Sequence, residues 1–98
     1  MAENMRITPR NILRHELIGL QAEVVEASNP SLIGIKGLVL DETRNTLVIG
    51  EPGGEKRTVL KFQAVFRFTL PDGTKVPVDG RFLMGRPEER MKKVYRAW

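Results

Sequence analysis

The chain has 98 residues, 41% of them apolar and six of them aromatic, which suits one domain with a small aliphatic core. It has no cysteine, so a disulfide scaffold, a thiolate nucleophile and a cysteine-ligated zinc site are excluded. Sixteen Lys and Arg against 12 Asp and Glu leave a net charge of +4, a balance that favours an anionic partner such as nucleic acid.

Residues 1–7 show no hydrophobic period and are expected to be loose. Thr8-Pro9 reads as a helix start, with Thr8 as N-cap and proline at the first helical position. Ile12, Leu13 and Leu17 follow at helical spacing, and Gly19 can end the helix, which predicts a helix over residues 8–18. From Leu20 the period shortens towards two. Strands are predicted at 20–27, 33–41, 46–50, 57–62, 65–70 and 74–79, which together form a barrel over 20–79. Gly34 and Gly37 predict a bulge or bend within the second. The separators are runs of turn-forming residues: Ser28-Asn29-Pro30-Ser31, Glu42-Thr43-Arg44-Asn45, Pro52-Gly53-Gly54 and Pro71-Asp72-Gly73. A last helix is predicted over 87–96, with Pro87 first, Glu88 and Glu89 in its first turn, and Arg90, Lys92, Lys93 and Arg96 behind them. Met91, Val94, Tyr95 and Trp98 give it an apolar stripe. Five or six short strands with close turn signals predict an all-β small barrel, Sm-like or SH3-like, whose bent antiparallel sheet hides its edges. No apolar run approaches the ~18 residues of a membrane span, and residues 1–6 lack the apolar stretch of a secretory signal, so a cytoplasmic protein is expected.

A catalytic set is hard to assemble from these residues. His15 is the only histidine, and its neighbour Glu16 faces elsewhere on a helix. Asp41 and Glu42 are the best acidic pair and could hold Mg²⁺ as a hydrolase, although Asp at a turn ordinarily bonds its own backbone. Gly50-Glu51-Pro52-Gly53-Gly54-Glu55-Lys56 lacks the Gly-Lys-Ser/Thr ending of a phosphate loop. The chain alone is therefore read as non-catalytic, with no cofactor of its own. Its cations form three groups: Arg6, Arg10 and Arg14; Lys56, Arg57, Lys61 and Arg67; and Arg81, Arg86, Arg90, Lys92, Lys93 and Arg96. Alternation puts Phe62, Phe66 and Phe68 in the core, so RNA would be met through phosphates, sugars and shape rather than by base stacking. The apolar stripes of the two terminal helices leave open a protein-interaction adaptor whose basic surface is incidental.

Three stretches carry a resemblance. They are Asn11-Ile12-Leu13-Arg14-His15-Glu16-Leu17-Ile18-Gly19-Leu20, then Gly37-Leu38-Val39-Leu40-Asp41-Glu42-Thr43-Arg44-Asn45-Thr46-Leu47, and Arg86-Pro87-Glu88-Glu89-Arg90. Over roughly residues 8–96 the chain resembles archaeal ribonuclease P protein component 1, the Pop4-type subunit with an Sm-like barrel. The resemblance implies a barrel of six strands flanked by terminal helices, in a ribonucleoprotein that removes the 5′ leader of precursor tRNA. It implies that the RNA carries the Mg²⁺-dependent chemistry and that the proteins stabilise its active fold. The partners implied are ribonuclease P RNA, a zinc-ribbon protein subunit, the other ribonuclease P proteins and, indirectly, precursor tRNA. Ile12, Leu13, Leu17 and Ile18 fall in the partner-binding region of the family. Arg10, Arg14, His15, Lys61, Arg67, Arg86, Arg90 and Lys93 are the RNA-contact candidates. Several relatives carry a longer basic N-terminal extension that this sequence does not show.

Overall fold

The computed structural model describes residues 7–90. Six strands follow one another: β1 (Gln21–Ala27), β2 (Lys36–Glu42), β3 (Thr46–Gly50), β4 (Lys56–Leu60), β5 (Ala64–Thr69) and β6 (Lys75–Asp79). All pair antiparallel, in the order β4-β3-β2-β1-β5-β6. The small all-β barrel architecture expected from the turn signals is what forms. Among the described residues no ladder joins β4 to β6, so the two edges are handled separately. Pro77 and Lys75 blunt β6, and Lys56 and Arg57 charge β4.

The sheet bends where its register slips, between Val24 and Glu26 on β1 and between Val39 and Asp41 on β2. The bend was expected at the glycines, but β2 begins only at Lys36, and Gly34 lies in the preceding turn. Gly37 serves a close approach instead: a Cβ there would stand 2.7 Å from the Gly50 carbonyl oxygen on β3. The slip at Val39/Asp41 has a consequence at the strand end, where Asp41 is exposed and Glu42 points inward.

Phe66 and Phe68 on β5 share the inner face with ring centroids 6.0 Å apart. Val24, Val39, Leu47, Ile49, Val59, Val76 and Val78 complete that core from the other strands. The chain before β1 closes one end of it. Ile7, Ile12, Leu13 and Leu17 are all buried there. Residue 7 is thus anchored rather than loose, and residues 1–6 lie outside the described range.

The helix predicted over 8–18 is not formed. Thr8 and Asn11 bond each other's backbone N–H groups through their side chains, at 2.7 and 3.3 Å, and a single 3₁₀ turn, Ile12–Arg14, follows. His15 is already extended. Asn11 offers the backbone a local alternative to helix, and an extended His15 lets Leu17 enter the same core as Ile12 and Leu13. Two further 3₁₀ turns, Lys61–Gln63 and Gly80–Leu83, abut at the far ends of β4 and β6. Their contact requires glycine, because a Cβ on Gly80 would collide with the Lys61 carbonyl oxygen and sit 2.9 Å from that of Ala64. The last described element is α1 (Pro87–Arg90). Its Glu89 carboxylate accepts from the Arg86 backbone N–H at 2.8 Å, the back-bond of a capping box. The predicted continuation to residue 96, with the stripe Met91, Val94, Tyr95 and Trp98, lies outside the described residues.

Candidate functional site

A buried charge cluster organises the end of the barrel where the segment before β1 meets α1. Glu42 ends β2 and turns inward. Lys61 begins the turn after β4, and Arg90 closes α1. The side chains of Lys61 and Arg90 are both 0% exposed. Arg90 grips Glu42 with two donations from one terminal nitrogen, 2.8 Å to Oε1 and 2.7 Å to Oε2, and its other terminal nitrogen reaches the carbonyls of Leu13 and His15. The Lys61 ammonium donates to Glu42 Oε2 at 2.7 Å and to the carbonyls of Thr43, Arg44, Leu83 and Gly85. Two buried cations thus share one carboxylate, and six backbone carbonyls supply the remaining negative potential. Burial pushes the Lys61 ammonium below its ordinary range, against the hydrogen bond and charge of Glu42. Arg90 Nε alone is buried without a partner among the described residues.

This arrangement corrects two RNA-contact assignments. Lys61 and Arg90 cannot meet a phosphate, because their donors are spent inside the protein. Strand phase could not reveal this, since Lys61 lies in a turn and Arg90 meets its partner 48 residues away. The same geometry removes the Asp41/Glu42 pair as a metal site. Glu42 is committed to the cluster, and the Asp41 carboxylate accepts the Glu42 backbone N–H at 2.8 Å on the other side of the strand. Three of the partner-binding assignments are corrected as well. Ile12, Leu13 and Leu17 fill this chain's own core, and only Ile18, 43% exposed, faces outward.

The exposed arginines among the RNA-contact candidates fall into two places. At the cluster end, Arg14 leaves the 3₁₀ turn whose flanking carbonyls Arg90 holds. Arg10 precedes it, and Arg86 opens α1. None of these three guanidinium groups pairs with a carboxylate among the described residues. Arg44, which no local pattern singles out, joins them from the β2–β3 turn and pairs with Glu89 at 3.3 Å. Its backbone carbonyl accepts from Gly85, which ties that turn to the segment before α1. His15 is half-buried, with Nδ1 3.1 Å from the Glu16 carbonyl oxygen. Lys93 lies outside the described residues. Elsewhere, Arg67 is exposed on β5, as the alternation required, and pairs with Glu23 on β1 at 2.7 Å. Lys36 and Lys75, likewise not singled out by local pattern, stand near it on the outer face of the sheet. Phe62 corrects the aromatic argument, being 52% exposed rather than in the core, as is Phe82. Leu60 ends β4, and the following 3₁₀ turn breaks the alternation that had placed Phe62 inside.

The sequence profile described as Ribonuclease P/MRP, subunit p29 matches residues 10–93. A Thermofilum pendens protein named Ribonuclease P protein component 1 is 61% identical over 94 residues, 96% of this chain and 100% of that protein. A Methanocaldococcus jannaschii protein of the same name is 64% identical over 87 residues, 89% of this chain and 90% of its own length. The solved structure titled "Structure of Mth11: A homologue of human RNase P protein Rpp29" aligns with a TM-score of 0.58 at 50% identity, over 78% of this chain and 97% of that one. On the strength of these matches, the chain belongs to the ribonuclease P/MRP subunit p29 family.

Proposed function

We propose that this chain is a non-catalytic protein subunit of archaeal ribonuclease P that binds the RNA of the enzyme and stabilises its active fold for 5′ maturation of precursor tRNA. The observation that supports an RNA contact is the cluster end. There Arg10, Arg14 and Arg86 come from the two ends of the chain, and the buried fork of Arg90 holds those ends together. Arginines without a carboxylate partner can meet phosphate oxygens bidentately, and the rigid backbone beneath them fixes their spacing. In this reading the Mg²⁺-dependent chemistry belongs to the RNA, precursor tRNA is met indirectly, and the assembly works in the cytoplasm.

Other ribonuclease P proteins complete the assembly, among them a zinc-ribbon subunit. Ile18 and the polar surface of residues 8–18 are what the N-terminal segment can offer such a partner. The exposed Phe62 and Phe82, on the abutting turns that also carry Lys61 and Leu83 of the cluster, favour a second protein contact beside the cluster end, where β4 and β6 finish. Reconstitution with the cognate RNA and the other subunits tests the proposal. Replacing Arg10, Arg14 and Arg86 together with Gln should weaken salt-sensitive binding and slow precursor cleavage at limiting protein. Cleavage that is unchanged when the whole chain is omitted would overturn the reading.

A further inference from the structure

The outer face of the sheet carries a second set of cations, and its chemistry differs from that of the cluster end. Strand register builds it in rows. Pro77, Arg67, Glu23 and Lys36 lie side by side across β6, β5, β1 and β2. In the next row Lys75, Thr69 and Gln21 are neighbours in the same way. Neighbouring strands are about 4.8 Å apart, so Arg67 and Lys36 stand about 10 Å from each other with Glu23 between them. A cleft runs among Lys36, Arg67 and Lys75, lined as well by Gln21, Glu23 and Thr69.

Three cations thus face one carboxylate. Glu23 pairs with Arg67, and among the described residues Lys75 Nζ reaches only the Thr69 hydroxyl, at 3.4 Å. Lys36 pairs with nothing among the described residues. No aromatic side chain lines the cleft, so it has neither a stacking platform for a base nor the aromatic anchor of a protein interface. Lysine, arginine, amide and hydroxyl donors on a flat polar surface suit a sugar–phosphate backbone. This face is also remote from the cluster end. Lys36 opens β2 and Glu42 closes it, and six residues at about 3.3 Å each put those ends about 20 Å apart along the strand.

We infer that the outer face of β6, β5, β1 and β2 is a second phosphate-binding surface, so that one chain holds two separate segments of RNA backbone. This rests on the RNA-binding function proposed above and adds a second contact to it. The two surfaces make the subunit a brace between RNA segments rather than a passive cover on one.

The test uses the full chain with ribonuclease P RNA, in nuclease footprinting and in binding titrations across a salt series. One variant carries Lys36→Gln, Arg67→Gln and Lys75→Gln; the other carries Arg10→Gln, Arg14→Gln and Arg86→Gln. Each should lower the slope of log affinity against log salt by about 2, at somewhat under one unit for each phosphate contact removed. Each should also free a different stretch of RNA from protection while the other stretch stays protected. Lys36→Glu alone, which breaks no contact among the described residues, should weaken binding in the same direction as the face variant. A face variant with unchanged slope and footprint would overturn the second surface. Loss of the same stretch from both variants would overturn the two-segment brace. If the parent chain gave no salt-sensitive protection at all, the RNA-binding reading itself would fall.

Discussion

Replacing Glu42 with Gln probes the buried cluster most directly. The substitution keeps shape and one oxygen acceptor but removes the only carboxylate that Lys61 and Arg90 share, while both remain fully buried. Removing one partner of a buried ion pair costs about 3–5 kcal/mol, because the other charge is left uncompensated. At roughly 0.05–0.15 kcal/mol per residue, a 98-residue chain has a total stability of about 5–15 kcal/mol, so the loss is a large share of it. For a domain of this size each kcal/mol moves the unfolding midpoint by about 4–8 °C, so a fall of at least about 12 °C is expected. Thermal and urea unfolding followed by circular dichroism measure it. Glu23→Gln is the matched control: it breaks the partly exposed pair with Arg67 and should cost at most about 1 kcal/mol. The variant should also change its response to pH. Without Glu42, burial and the neighbouring Arg90 charge both lower Lys61, opposed only by the weaker pull of Glu89, and its folded pKa then lies further below the ordinary 10.5. Between those two values the unfolded chain binds more protons than the native one, so stability should rise with pH across that window, and more steeply in the variant than in the parent. Equal costs at Glu42 and Glu23 would refute the reasoning, because the cluster would then behave as a solvated pair.

Arg90→Lys keeps the charge but cannot hold Glu42 and the Leu13 and His15 carbonyls at once. Hydrogen exchange should show the amides of the Ile12–Arg14 turn exchanging faster in the variant than in the parent while those of β5 change little, and equal protection of that turn in parent and variant would contradict the link between the two segments. Gly80→Ala should destabilise by at least about 1–3 kcal/mol, since its methyl group meets the Lys61 and Ala64 carbonyl oxygens and backbone must move. Urea unfolding measures that cost, and a neutral result would mean that the two 3₁₀ turns are not in rigid contact. Asp79 accepts from Arg81 through side chain and backbone, which holds its carboxyl below the usual range. The resulting stabilisation is present above the ordinary value of 3.8 and is lost as pH falls through the lower folded value. Urea midpoints measured through the acid range should converge for the parent and Asp79→Asn, and a constant gap between them would show that the carboxyl is unperturbed.

Local signals in this chain were strong wherever the backbone decides its own course. Pro71-Asp72-Gly73 and Glu42-Thr43-Arg44-Asn45 punctuate the hairpins, and the alternation of Phe66 and Phe68 against Arg67 placed β5 and its two faces correctly. The strand 46–50 also formed at the residues expected. Local reasoning failed at the N-terminal segment for an equally physical reason. The spacing of Ile12, Leu13 and Leu17 suits a helix, yet the same residues reach the core through one 3₁₀ turn and an extended His15. Helical spacing shows that residues are apolar and near one another, and leaves open which surface covers them.

Charge is where sequence and structure part most sharply. The sequence by itself determined a small basic β domain with six strand signals, no thiol chemistry and an excess of arginine, because composition, turn residues and period-two alternation are local properties. It could not distinguish Arg90 from Arg86 or Lys61 from Lys36, because what separates a structural cation from an available one is its distance to a carboxylate far away in the chain. Glu42 meets Lys61 across 19 residues and Arg90 across 48. Only the tertiary structure decided which cations are spent on holding the two chain ends together and which remain free to meet a phosphate, since burial and pairing are set by long-range packing rather than by neighbours in sequence.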